Sequence, residues 1–479
     1  MPIPVVDNCF MSAHNKKTSF LWRGPSTFVV IAVGATLSLK DFLTFPVMAG
    51  ENGGGAFLLV YAFFLLVLGF PLMVGEFMLG RLTRSNFVSG VDKLSSEIGA
   101  SIYWKTIATF SLLAGLLVLS SYSVVSGWSL AYFFKTGLGV FSDVTANGVN
   151  AIFKNFRMDP ESMMLWHTLF VLMTVAISAQ DLKQGIQKVF VVLVPLMAIL
   201  LIVGLMYAFY SGGMQQSIEY ILLPDWSRVD ASMPLLALQR AFYTLTLGLG
   251  VMVIYGAYLD DKAPIGYLTG QVILVDLLFS IFAGLAINAL VFSVDLDPVL
   301  DDELAFRVLP VMFGSFEYGS IFGALFYLLL LLAAITTTVA ILEAILSFYT
   351  VKFKQSRLKA AVQLGFIIWL LGLGTIFSYS VWHESGLTLT LDFGVETYRL
   401  ANEAGFHDII IFISSHIVQP LVALLLSLYV GWVIPRKVSF EAINFSHRKY
   451  YELWNFSIRY ITPVLVFIVL LSTLGVLNN

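Results

Sequence analysis

GATLSLKDFLTFPVMAGENGGGAF occupies residues 34–57, and its first half sets two requirements against each other. The stretch near 26–48 is apolar and long enough to cross hydrocarbon, since a spanning α-helix needs about 20 such residues. Yet Lys40 and Asp41 place two charges near its middle, beside Thr36 and Ser38. A charge at the bilayer centre costs roughly 2.5–3.5 kcal/mol on insertion scales, so such residues face a protein interior or water and have partners. Two readings stand. Either Lys40 and Asp41 neutralise each other and tie helices together, or they mark a site near the membrane midplane.

The rest of the chain is consistent with a membrane solvent. Of 479 residues, 58% are hydrophobic and 12% charged, against about 25% charged in soluble domains. The 20-residue ruler finds about eleven spans, near 26–48, 55–79, 107–134, 164–180, 189–210, 234–258, 265–294, 317–349, 360–382, 408–434 and 453–476. They form one domain, 26–479, after a polar tail over 1–25. Lys16, Lys17 and Arg23 in that tail, and Arg81, Arg84, Lys352, Lys354 and Arg357 in later connections of the same side, predict a cytoplasmic N-terminus. The net charge of −3 gives no basic field for nucleic acid. Cys9, the single cysteine, allows neither an internal disulfide nor a cysteine metal site. No nucleophile–base pair, phosphate loop or haem motif is present, so neither an enzyme nor an organic cofactor is expected.

The sixth span contains a second interruption, Thr246-Leu247-Gly248-Leu249-Gly250. Two glycines weaken a helix and let its backbone open. Open backbone at membrane depth is tolerated only inside protein or along a cavity. Two interrupted spans, five apart, point to an inverted repeat of spans 1–5 and 6–10 with binding sites at the breaks.

Phe45-Pro46, Glu51-Asn52-Gly53-Gly54-Gly55-Ala56-Phe57, Pro71-Leu72 and Glu76 through Gly80-Arg81 resemble the neurotransmitter:sodium symporters. Weaker matches are Trp128, Leu223-Pro224-Asp225, Thr244 to Tyr258 and Thr336-Thr337. The resemblance implies an all-α polytopic membrane protein with the LeuT-like fold: a 5+5 inverted repeat, broken helices 1 and 6, and about eleven transmembrane helices. It implies a second sodium site from the carbonyls of Gly34, Leu37 and Ala333 and the hydroxyls of Thr336 and Thr337. Hard oxygen ligands suit such an ion, although a threonine hydroxyl also bonds back to its own helix. It implies a substrate pocket lined by Ser38, Leu39, Lys40, Val118, Tyr122, Tyr243, Thr246, Leu249 and Ile341. Tyr122 matches the donor to a substrate carboxylate, and the small Ser38 stands where monoamine carriers place an acid. The implied solute is therefore an amino acid or a close relative.

The chain departs from the family's pattern at charged positions. The first ion site would contain Thr36, Asp41, Thr244 and Asp276, with acids in place of two amides and Lys40 beside them. Lys40 is expected to take over the role of the first sodium, paired with Asp41, Asp276 or Glu76. The rival readings are that Lys40 holds an acidic substrate, or that the two acids bind a cation more tightly than usual. The positions of a chloride site read Tyr61, Arg240, Thr244 and Ser280; Arg240 either holds an anion or neutralises Asp276, so chloride coupling stays open. The outer gate pair reads Thr44 and Ile411, without charge. At the inner gate Trp22 and Tyr258 match, the usual acid falls at Val351, and Glu343 is an alternative partner. His167 and His416 read as hydrogen-bonded packing residues.

The expected function is sodium-coupled symport of a small organic solute, an amino acid first, by alternating access in the lipid of a bacterial inner membrane. The alternatives are a sodium-independent or proton-coupled carrier or exchanger, with Lys40, Asp41 and Asp276 as its charge relay, and a sensor that keeps the fold without transport.

Overall fold

The computed structural model describes residues 22–294, 304–382, 387–392 and 397–477; Cys9, Lys16 and Lys17 lie outside them. Nine uninterrupted helices among the described residues are long and apolar enough to span a membrane: Gly55–Thr83, Ile102–Gly137, Pro160–Ser178, Gly185–Ser211, Ile265–Phe292, Gly319–Phe353, Arg357–Tyr379, Phe406–Val433 and Arg448–Thr473. They are spans 2–5 and 7–11. Span 1 is broken into Pro25–Thr36, Leu39–Leu43 and Phe45–Glu51, and span 6 into Met233–Thr244 and Val251–Ala257. The most buried span is the eighth, with 83% of its apolar window inside the protein, against 28% for the fifth. Span 8 therefore forms the axis of the bundle, and span 5 faces its outside.

The Gly53-Gly54-Gly55 turn fixes how spans 1 and 6 enter. Gly53 and Gly54 have φ of 94° and 56°, the left-handed region where glycine carries no steric penalty. A Cβ on Gly55 would lie 2.3 Å from the Leu222 carbonyl oxygen. Gly55 N–H instead donates to Leu223 O at 3.2 Å, and Asp225 N–H to Gly53 O at 3.1 Å. The glycine run thus docks the start of span 2 onto the Leu223-Pro224-Asp225 segment ahead of span 6.

Prolines free carbonyls inside the bundle, because each removes the bond to the residue four before it. Other spans supply the missing donor in three cases. Ser457 Oγ donates to Val67 O at 3.1 Å, opposite Pro71. Thr473 Oγ1 donates to His416 O at 2.9 Å, opposite Pro420, and Trp432 Nε1 to Arg459 O at 2.9 Å, opposite Pro463. These bonds fasten span 11 to spans 2 and 10.

One element departs from an all-helical reading. Strands Leu387–Asp392 and Thr397–Ala404 pair as an antiparallel hairpin in the connection from span 9 to span 10.

Candidate functional site: the two helix breaks

The opened backbone of both breaks is satisfied by side chains from other spans. In span 6, Thr246, Gly248 and Gly250 all have positive φ, at 51°, 79° and 75°. Gly248 N–H donates to Glu76 Oε1 at 2.8 Å, Ser111 Oγ donates to Gly248 O at 2.8 Å, and Gln419 Nε2 donates to Leu247 O at 2.8 Å. Glu76 is therefore the partner of this broken backbone, not of Lys40. In span 1, Ser38 N–H donates to Asp41 Oδ2 at 2.6 Å and its hydroxyl to the same oxygen at 3.0 Å. This caps the helix that restarts at Leu39.

Two of the implied second-site groups meet across the bundle. Thr337 Oγ1 reaches the Leu37 carbonyl at 2.7 Å, from span 8 to the break in span 1. Thr336 bonds back along its own helix, to Leu332 O at 3.1 Å and Ala333 O at 3.0 Å. Gly34 is buried one turn before the break, against Phe190 and Val194. The oxygens that Leu37, Ala333, Thr336 and Thr337 bring here are all neutral.

The implied pocket residues come from spans 1, 3, 6 and 8, the spans that carry or adjoin the two breaks. Tyr122 Oη accepts from Leu39 N–H at 3.0 Å and is also within hydrogen-bond reach of Thr337. Ser38, Val118, Tyr122 and Tyr243 are half-buried, while Thr246, Leu249 and Ile341 are buried. Tyr243 Oη donates to Ser415 O at 2.9 Å, tying span 6 to span 10.

Lys40 is not where the sequence suggested. Its side chain is exposed, its electrostatic neighbour is His416, and among the described residues no carboxylate pairs with it. Arg240 takes the place expected of Lys40. Its Nη2 is bonded to Asp41 Oδ1, with 4% and 0% of the two side chains exposed, and its guanidinium lies 5.4 Å from the Phe45 ring centre. The Thr244 hydroxyl lies 3.0 Å from Asp41 Oδ1 and 3.3 Å from Asp276 Oδ2, and the Thr36 hydroxyl is within bonding reach of Asp276. Four buried polar atoms around this cluster have no partner: Tyr61 Oη, Ser280 Oγ, Arg240 Nε and Asp276 Oδ1.

The N-terminal side is sealed. Trp22 Nε1 donates to Tyr255 O at 3.0 Å, Trp22 N–H to Tyr258 O at 3.1 Å, and its ring packs against both tyrosines. Glu343 pairs bidentately with Arg357, whose Nη1 lies 3.1 Å from Oε1. Arg357 Nε also donates to Ser178 O at 2.9 Å. Val351 is 60% exposed and takes no part. His167 is buried and bonds Trp369 O at 3.4 Å, as a packing residue would.

Two broken helices cradled inside a bundle of spanning helices, closed on the N-terminal side by Trp22 and by Glu343–Arg357, are the arrangement of a secondary transporter. The profile of the Sodium:neurotransmitter symporter family matches residues 20–141 and 156–478, and the chain belongs to that family. Members are transporters, not enzymes. An uncharacterized sodium-dependent transporter of Bacillus subtilis, YhdH, is 32% identical over 95% of this chain and 98% of its own length. An uncharacterized sodium-dependent transporter of Haemophilus influenzae is 27% identical over 97% and 100%. The crystal structure of MhsT in complex with L-phenylalanine matches at a TM-score of 0.82 and 33% identity, over 95% of this chain and 99% of that one. The fold is accordingly LeuT-like.

Proposed function

We propose that the chain couples sodium entry to uptake of an amino acid or a related small organic solute. The contact that carries this reading is Thr337 Oγ1 on the Leu37 carbonyl. It gathers neutral oxygens from span 8 and from the break in span 1, an environment that a desolvated monovalent cation completes. The hydroxyl proton turns away from the carbonyl when both oxygens ligate the ion, so the ion replaces this hydrogen bond as the link between the two spans. Ala333 O, Thr336 and the Gly34 carbonyl are the remaining ligands of this reading.

The solute sits beside the breaks. Tyr122 donates its phenolic proton to the solute's carboxylate, and Ser38, Thr246, Leu249, Val118 and Ile341 set the shape around its side chain. Tyr243 stands over it. The neighbouring MhsT structure, with L-phenylalanine bound, supports this solute class. Alternating access then consists of closing the pocket side and opening the Trp22–Tyr255–Tyr258 and Glu343–Arg357 contacts on the N-terminal side. That side is assigned to the cytoplasm of a bacterial cell, from the cationic connections that include Arg84 and Arg357 and from the bacterial relatives.

A second reading of the solute is favoured by Lys40. An exposed ammonium next to the break, with His416 as its electrostatic neighbour and no carboxylate paired to it among the described residues, suits a second anionic group on the solute.

Uptake of a labelled amino-acid panel by proteoliposomes tests the function. Concentrative uptake with an inward sodium gradient, abolished when choline replaces sodium, is expected. Equal uptake in both buffers would transfer the coupling to another ion, and binding without flux would make the protein a sensor.

A further inference from the structure

The buried charges between spans 1, 6 and 7 form an oxygen cluster with a positive charge already inside it. Asp41 Oδ1, Thr244 Oγ1 and Asp276 Oδ2 lie within 3.0–3.3 Å of one another along the chain of contacts, and Thr36 adds a fourth oxygen. Two carboxylates and two hydroxyls, all fully buried, are a ligand set for a hard cation. The Arg240 guanidinium is bonded to one of those oxygens, 199 residues away in sequence. It is charged at every accessible pH, and the Phe45 ring lies within cation–π distance of it.

We infer that Arg240 is a tethered cation that fills this cluster permanently, so the cluster takes no sodium and the transporter carries fewer ions per cycle than its number of cation-shaped sites suggests. A metal ion entering would be desolvated beside a fixed guanidinium, and like charges at this range in a protein interior repel strongly. Three donors, Tyr61 Oη, Ser280 Oγ and Arg240 Nε, and one acceptor, Asp276 Oδ1, remain without hydrogen-bond partners around the cluster. This site is separate from the Thr337–Leu37 oxygens, so the inference stands or falls independently of the proposed coupling site.

Binding of ²²Na⁺ to the purified full-length protein tests it without requiring transport. The wild type is expected to bind one sodium per chain, and Thr337→Val to remove it. Arg240→Gln, which empties the cluster of its cation, is expected to bind one sodium more than the wild type. Its melting temperature should rise with NaCl and not with choline chloride at equal ionic strength. Arg240→Lys, which keeps the charge, should bind no more than the wild type. If Arg240→Gln does not fold, the double variant Asp41→Asn/Arg240→Gln carries the same expectation with one acid fewer to neutralise. Two sodium ions in the wild type, or no added sodium in the cation-free variants, would overturn the inference. No sodium in the wild type with one in Arg240→Gln would support it and refute the Thr337 site instead.

Discussion

The two ion-shaped places in this protein lie on either side of the break in span 1, and they are built from opposite materials. On the span 8 side, Leu37 O and Thr337 Oγ1 are neutral and bonded to each other. On the span 6 and 7 side, Asp41, Asp276 and Arg240 supply both signs of charge themselves. In the proposed account, the neutral oxygens are completed by a sodium ion, and their occupancy follows the sodium gradient. A place that contains its own cation cannot respond to that gradient. On the inference drawn above, the fold loses an ion from its cycle while keeping the helix breaks that the ion's site requires.

The largest effect should come from the neutral side. Thr337→Val removes one ligand while keeping the shape. It is expected to raise the sodium concentration for half-maximal uptake by on the order of 100-fold, at or above the loss seen when only a supporting contact is removed. A sodium titration of uptake would show it, and an unchanged titration would break the comparison there. The charged side should respond in stability. Arg240→Gln leaves Asp41 and Asp276 buried without their cation, and losing one partner of a buried pair costs roughly 3–5 kcal/mol. A melting curve in sodium-free buffer would measure it.

Smaller effects sharpen the pocket between the two places. Tyr122→Phe removes the donor beside Leu39 N–H and leaves that amide unpaired. A loss of about 1–3 kcal/mol is expected, read as a weaker solute affinity at constant sodium. Lys40→Ala should change least. An exposed charge pair is worth about 0.2–1 kcal/mol, so competition by acidic amino acids should weaken only a few-fold while neutral ones compete as before. Equal effects on both classes would withdraw Lys40 from solute recognition.

Much of this architecture was legible in the chain. Lys40, Asp41, Gly248 and Gly250 interrupt apolar runs, and both helices break there. The pairing of the charges was not legible. Lys40 and Asp41 are sequence neighbours, but residues i and i+1 on a helix point to different sides. Asp41 faces inward to Arg240, and Lys40 faces outward. No local pattern reveals a partner 199 residues away; the signals were a permanently charged residue in an apolar span and a family resemblance that set Arg240 beside Asp276 instead of Asp41. The Glu343–Arg357 pair escaped notice for a similar reason, because its members belong to consecutive spans whose facing sides depend on packing. The hairpin after span 9 was signalled by the alternation Leu387-Thr388-Leu389-Thr390-Leu391, which a search for 20-residue apolar runs passes over.

The ratio of ²²Na⁺ to labelled solute entering wild-type proteoliposomes, measured in the same vesicles, tests the contrast most directly. One sodium per solute is the expected ratio, with the neutral site filled and the charged one closed by Arg240. Two sodium ions per solute would mean that the charged cluster also accepts a guest, and none would mean that the Thr337–Leu37 oxygens do not drive transport.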